Sequence, residues 1–75
     1  MKLFVSELYD CNKSETYLMG VFSKSGNAIR VATQYIEEQG GDSRYNDWDA
    51  DPLTETFYFD GYTLTVTECE LDEPN

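Results

Sequence analysis

Asp47, Asp49 and Asp51 alternate along the chain with Trp48 between the first two, and they are the residues whose types and spacing come closest to a chemical task. Alternating carboxylates open the loops that hold calcium, because a hard cation takes oxygen ligands. The pattern then departs from that chemistry. A calcium loop of the EF-hand type needs Gly after the third ligand and Glu at its twelfth position, where this chain has Pro52 and Tyr58. The remaining reactive side chains are no better placed. Glu37/Glu38 and Glu68/Glu70 are carboxylate pairs, but acid–base work needs a pocket that perturbs their pKa values. Cys11, Cys69 and the serines have no His to activate them, because the chain contains none. Gly40-Gly41 and Ser25-Gly26-Asn27 lack a phosphate-loop pattern. The expectation is a protein that is not an enzyme and uses no cofactor or metal.

Charge is the feature left to explain. Fifteen acidic residues stand against 5 basic ones, a net charge of −10, which opposes direct binding to nucleic acid or to an anionic membrane. A partner should therefore be a basic-surfaced protein. Between Glu37 and Asp60 there are eight acids and a single base, Arg44. If 47–51 is extended, alternate carboxylates lie about 6.6 Å apart at a rise of ~3.3 Å per residue. That spacing approximates every second phosphate of a DNA strand, at about 3.4 Å per nucleotide. Such an array would fit a basic groove that otherwise takes nucleic acid. Tyr45 and Trp48 lie among these acids and suit interface anchors, since each joins apolar area to a polar group. The expected contact surface is Glu37, Glu38, Asp42, Tyr45, Asp47, Trp48, Asp49 and Asp51. Two plainer readings stand beside it: the acids serve solubility, and Trp48 folds back to cap the core.

The elements that must position these residues follow from periodicity. Residues 2–9 (KLFVSELY) read as a strand, the polar run from Asp10 to Glu15 as a loop, and Thr16 to Phe22 as a second strand completing a hairpin. Gly20 inside that strand points to a bulge or a close backbone approach. Ala28, Ile29, Ala32, Tyr35 and Ile36 recur at helical spacing. Ser23 and Ser25 are candidate caps for the helix start, and Gly40-Gly41 for its end. Asp42 to Pro52 reads as a loop, of a length that in a compact domain is often functional. Asp60-Gly61 is a hairpin signal of the type I′ kind, pairing Phe59 with Tyr62, Phe57 with Leu64 and Glu55 with Val66. Leu53, Phe57, Phe59, Tyr62, Leu64 and Val66 then share one face. Thr54, Thr56, Tyr58, Thr63, Thr65, Thr67 and Cys69 share the other. The predicted fold is α+β, a single domain over 1–75 in the order ββαββ. A four-stranded antiparallel sheet carries one helix on its apolar face, residues 42–52 form a long acidic loop, and 70–75 form a frayed tail.

Two cysteines far apart in sequence read as free thiols, or as a bridge if the first and last strands are neighbours. MKLFVSELYD lacks the apolar run of a signal peptide, and no stretch approaches ~20 apolar residues, so the expected location is cytoplasmic. The junction Leu18-Met19-Gly20-Val21-Phe22-Ser23, the helix with Ala28, and the finish Glu68-Cys69-Glu70-Leu71-Asp72-Glu73 resemble a group of small uncharacterised phage and bacterial proteins. The resemblance covers about half the chain and implies a ββαββ fold and a phage origin, with host cytoplasm as the location. In size and charge the chain is also similar to phage inhibitors that block host defence nucleases by imitating DNA. The expected function is accordingly a charge mimic that occupies the nucleic-acid-binding surface of a host defence protein. The alternative is an assembly module that forms a homodimer through its threonine-rich face or a strand edge.

Overall fold

The structure, a computed structural model, describes residues 1–70. The finish at Leu71, Asp72 and Glu73 and the rest of the frayed tail expected over 70–75 lie outside the described residues, except that Glu70 ends a strand and pairs with Lys2 rather than fraying. Among the described residues, five strands and one helix appear in the order β1 (Lys2–Asp10), β2 (Glu15–Phe22), α1 (Ser25–Glu38), β3 (Tyr45–Ala50), β4 (Thr54–Phe59) and β5 (Tyr62–Glu70). The strands form one antiparallel sheet in the order β2-β1-β5-β4-β3. The four-stranded ββαββ expectation is therefore corrected to ββαβββ, and most of the expected 42–52 loop is an edge strand. β3 reads YNDWDA, and Asp and Asn are depleted from strands. Pairing with β4 overrides that preference.

The second hairpin has the register expected from its turn, with Phe59 opposite Tyr62, Phe57 opposite Leu64 and Glu55 opposite Val66. The turn itself is not type I′, because φ is positive at Gly61 (+82°) and not at Asp60. Leu53 departs from the expected apolar face. It precedes β4 and is largely exposed.

Pairing β1 between β2 and β5 makes the first and last strands neighbours and sets up the core. Ser6, Leu8 and Asp10 point to the same side as Val66, Leu64 and Tyr62, which lie opposite them on β5. Leu8, Ala28, Ala32, Ile36, Phe57, Phe59, Leu64 and Val66 form one buried cluster beneath α1. The predicted helical face is the buried one, with Ile29 and Tyr35 at its margin. Neither Ser23 nor Ser25 caps the helix. Lys24 occupies the N-cap without a side-chain bond, so Ser25 lies one position too late. The C-terminal end closes as expected, with the N–H groups of Gly40 and Gly41 bonding back to the Glu37 and Ile36 carbonyls.

Two buried polar groups join elements. Ser6 Oγ donates to the Ala28 carbonyl at 3.3 Å, tying sheet to helix. Asp10 Oδ1 accepts the N–H groups of Asn12 (2.9 Å) and Lys13 (3.3 Å), fixing the turn that leads into β2. Cys11 and Cys69 are free and exposed. Cys11 bonds to Gly61 at one end of β5, and Cys69 lies near the other end, opposite Leu3. Neighbouring strands thus keep the two thiols apart, and the bridge reading is corrected.

Gly20 marks the bulge that its position in the strand implied. Ser6 pairs with Gly20 but Glu7 with Leu18, so Met19 is the extra residue. Gly20 has φ +148°, and a Cβ there would stand 2.9 Å from the Phe22 ring. Gly20→Ala is expected to destabilise the fold by about 1–3 kcal/mol, the range for backbone strain of this kind. A urea melt unchanged from wild type would contradict that account.

Candidate functional site

Strand β3 lies at one end of the sheet, paired to β4 on one side and, among the described residues, open on the other, and all six of its residues are exposed. Its faces are set by a bulge. Tyr45 pairs with Phe59 and Asp47 with Tyr58, leaving Asn46 as the extra residue. Tyr45 and Trp48 are three positions apart, yet they therefore share the face of Phe59 and Phe57. Asp47 and Asp49 share the opposite face, across from Tyr58 and Thr56.

The aromatic side is a stack. Trp48 lies nearly parallel to Phe57, 17° between planes and 6.2 Å between centroids. Tyr45 meets Phe57 edge-on at 5.1 Å and Phe59 at 6.0 Å. Among the described elements, α1 packs on β2, β1 and β5 but does not reach over β4 and β3. Tyr45 and Trp48 cover that gap. Each is about half exposed, at 51% and 53%, so one side of each ring caps the core while the other meets water. Phe57, the platform for both, belongs to the apolar face expected from the sequence and is not among the expected contact residues.

The carboxylates are distributed differently from the expected linear array. Asp47 and Asp49 are neighbours on one face of β3. Asp51 lies past the strand, in a turn where its N–H donates to Thr54 O at 2.7 Å. There it borders a cavity of about 70 Å³ that Phe4, Leu53, Glu55, Val66 and Glu68 also line. Glu68 pairs with Lys2 at 3.4 Å. Glu37 and Glu38 close α1. Ser43 Oγ donates to Glu37 Oε1 at 2.7 Å, and Glu38 lines a shallow groove with Met19, Val31, Gln34 and Tyr35. Asp42 Oδ1 accepts the Arg44 N–H at 3.0 Å and Nε at 3.4 Å. The backbone bond, followed by the side-chain bond, holds the Asp42 carboxyl below its usual range. The structure thus gathers Tyr45, Asp47, Trp48 and Asp49 on one strand, with Asp51 just past it and Asp42 in the segment before it. Glu38 instead lies beside Met19 of β2, toward the opposite edge of the sheet, so Glu37 and Glu38, at the end of α1, do not join the β3 group, contrary to expectation. Among the described residues, no three Asp, Glu or Cys side chains converge as a metal site.

Among the described residues, no element is layered over the second sheet face. Threonines 54, 56, 63, 65 and 67 occupy its centre, with Tyr9 and Tyr58 on either side of Thr63, as the sequence implied. The apolar margin at β2 was not foreseen. Leu18 and Val21 pair with Glu7 and Val5 and are 66% and 54% exposed. The signal for them was β2's continuous apolar run, which is too rich for a strand covered on one side.

On the β2 edge the Tyr17 hydroxyl donates to the Glu15 carboxylate. This bond, then desolvation and the Glu15 charge, pushes the Tyr17 pKa up to about 12. The folded chain therefore keeps this proton longer than the unfolded chain, whose Tyr titrates near ~10. Any stability from the contact is complete below pH ~10 and lost as pH rises through about 12. Glu15→Gln should return Tyr17 toward its ordinary value, read from its ring resonance in an NMR titration. An unchanged midpoint would count against the bond.

Comparison with known proteins found no matching family model, no similar curated protein and no similar solved structure. No helix is long and apolar enough to cross a membrane, among the described residues.

Proposed function

We propose that this chain is a non-catalytic module that binds a basic-surfaced protein through β3 and the acids around it. One observation carries the reading: an exposed edge strand with Asp47 and Asp49 on one face and half-exposed Tyr45 and Trp48 on the other. Carboxylates steer a basic partner and select against acidic ones, while aromatic rings supply apolar area. Arg44, the one base near the strand in sequence, already bonds to Asp42. The narrower reading is a phage-encoded mimic that occupies the nucleic-acid-binding surface of a host defence protein. It is supported by the net charge and by the two neighbouring carboxylates on β3.

The test uses immobilised protein and a host lysate. Wild type should retain a nucleic-acid-binding protein that is released by high salt and displaced by added DNA. Joint Asp47→Asn, Asp49→Asn and Asp51→Asn substitution should weaken retention at least about tenfold. Capture by the triple variant equal to wild type and indifferent to salt would remove the reading. Salt-sensitive capture that DNA does not displace would remove only the mimicry.

A second reading rests on a separate observation, the exposed Leu18 and Val21 at the β2 edge. Self-association there would join two sheets and cover both residues. Sedimentation should then show mass rising with concentration, and Leu18→Lys should suppress it. A monomer at every concentration would exclude this reading.

A further inference from the structure

The outer edge of β3 has hydrogen-bonding groups that the register identifies. Phe59 and Tyr62 flank a two-residue turn and so form a hydrogen-bonded pair, and in an antiparallel ladder such pairs alternate with non-bonded ones. Phe59, Phe57 and Glu55 therefore direct their backbone groups toward β5, and Tyr58 and Thr56 direct theirs toward β3. Asp47 and Asp49, opposite those two, bond inward. Asp51 continues the series through its bond to Thr54. Trp48 and Ala50 are left with N–H and C=O facing away from the sheet. One of these groups is engaged: Asp47 Oδ1 accepts the Trp48 N–H at 2.8 Å. An exposed carboxylate thus masks part of the edge, and its charge is one that a cation would draw away.

We propose that β3 takes up an extended basic segment of a partner protein as a sixth strand, with Asp47 as the gate. A Lys or Arg of the incoming strand pulls the Asp47 carboxylate from the Trp48 N–H, which then bonds to the partner's carbonyl. The proposal rests on the reading of β3 as a contact for a basic protein, and adds the mode of binding. Side chains of an added strand alternate between faces. On one face its cations meet Asp47 and Asp49. On the other, they lie beside the exposed side of Trp48, whose ring attracts cations. A second copy of this chain is disfavoured here, because antiparallel β3–β3 pairing would set the same carboxylates against one another. Strand addition is a recurring mode of peptide recognition in which the main chain supplies affinity and alternate side chains supply specificity.

The test titrates the whole chain with a labelled peptide alternating Lys and Thr, followed by fluorescence anisotropy. Two N-methylated forms carry the methyl groups on one alternate set of amides or on the other. The parent peptide should bind. One methylated form should lose about tenfold or more, having lost bonds to Trp48 and Ala50, while the other binds as the parent does. Asp47→Ala should also let β3 bind a Ser/Thr peptide that wild type refuses. Equal binding by both methylated forms would overturn strand addition and leave the basic contact standing. No binding by the Lys/Thr peptide would overturn both. Dimerisation of the Asp47→Ala chain without peptide would overturn the commitment to a basic partner, since the unmasked edge would then prefer a second copy.

Discussion

Leu64→Ala should remove a large part of this protein's stability, about 2–5 kcal/mol. Leu64 is fully buried on β5, between Leu8 on β1 and Phe57 on β4. Removing a Leu side chain from a close-packed core costs about 2–5 kcal/mol, the upper part where the walls cannot collapse. The walls here are two hydrogen-bonded neighbouring strands and a helix, none of which can move in independently. A 75-residue domain has only about 4–11 kcal/mol in total at ~0.05–0.15 kcal/mol per residue. Circular dichroism and a urea melt decide the matter. A midpoint within experimental error of wild type would mean that the core is not built around β5.

Phe57→Ala should be of similar size, about 3–5 kcal/mol, but its first effect is local. Phe57 carries Trp48 on its face and Tyr45 at its edge. With α1 lying over β2, β1 and β5, β3 is held by its ladder to β4 and by these ring contacts. Without the platform, Trp48 emission should shift to the red and amide exchange over 45–50 should accelerate ahead of exchange in α1. The proposed binding of a basic partner should fall with it, because the carboxylates lose the strand that spaces them. Uniform acceleration in helix and sheet alike would show that β3 has no separate stability.

These two substitutions also divide what was legible from what was not. The Asp60-Gly61 hairpin and its register could be read because a two-residue turn fixes every pair beyond it, and the apolar and threonine faces agreed with that choice. The helical face of α1 could be read because 3.6-residue periodicity is local. β3 could not. Four of its six residues, Asn46, Asp47, Asp49 and Ala50, are of types depleted from strands, and its bulge at Asn46 breaks the parity that would have flagged Tyr45 and Trp48 as one face. The one available hint was length, since an eleven-residue loop without structure is uncommon in a compact domain.

By itself the sequence determined an acidic α+β chain with one amphipathic helix, a well-registered hairpin and an acid-rich stretch around Trp48. Those properties are carried by residue type and local spacing. Only the tertiary structure decided that this stretch is a strand, β3, at the edge of the sheet. It also decided that Asp47 and Asp49 lie apart from Tyr45 and Trp48 on opposite faces, and that Asp51 leaves the line. The reason is physical: a strand of weak propensity forms because β4 offers it a ladder and Phe57 offers it a ring to stack on, and neither partner lies within the segment itself.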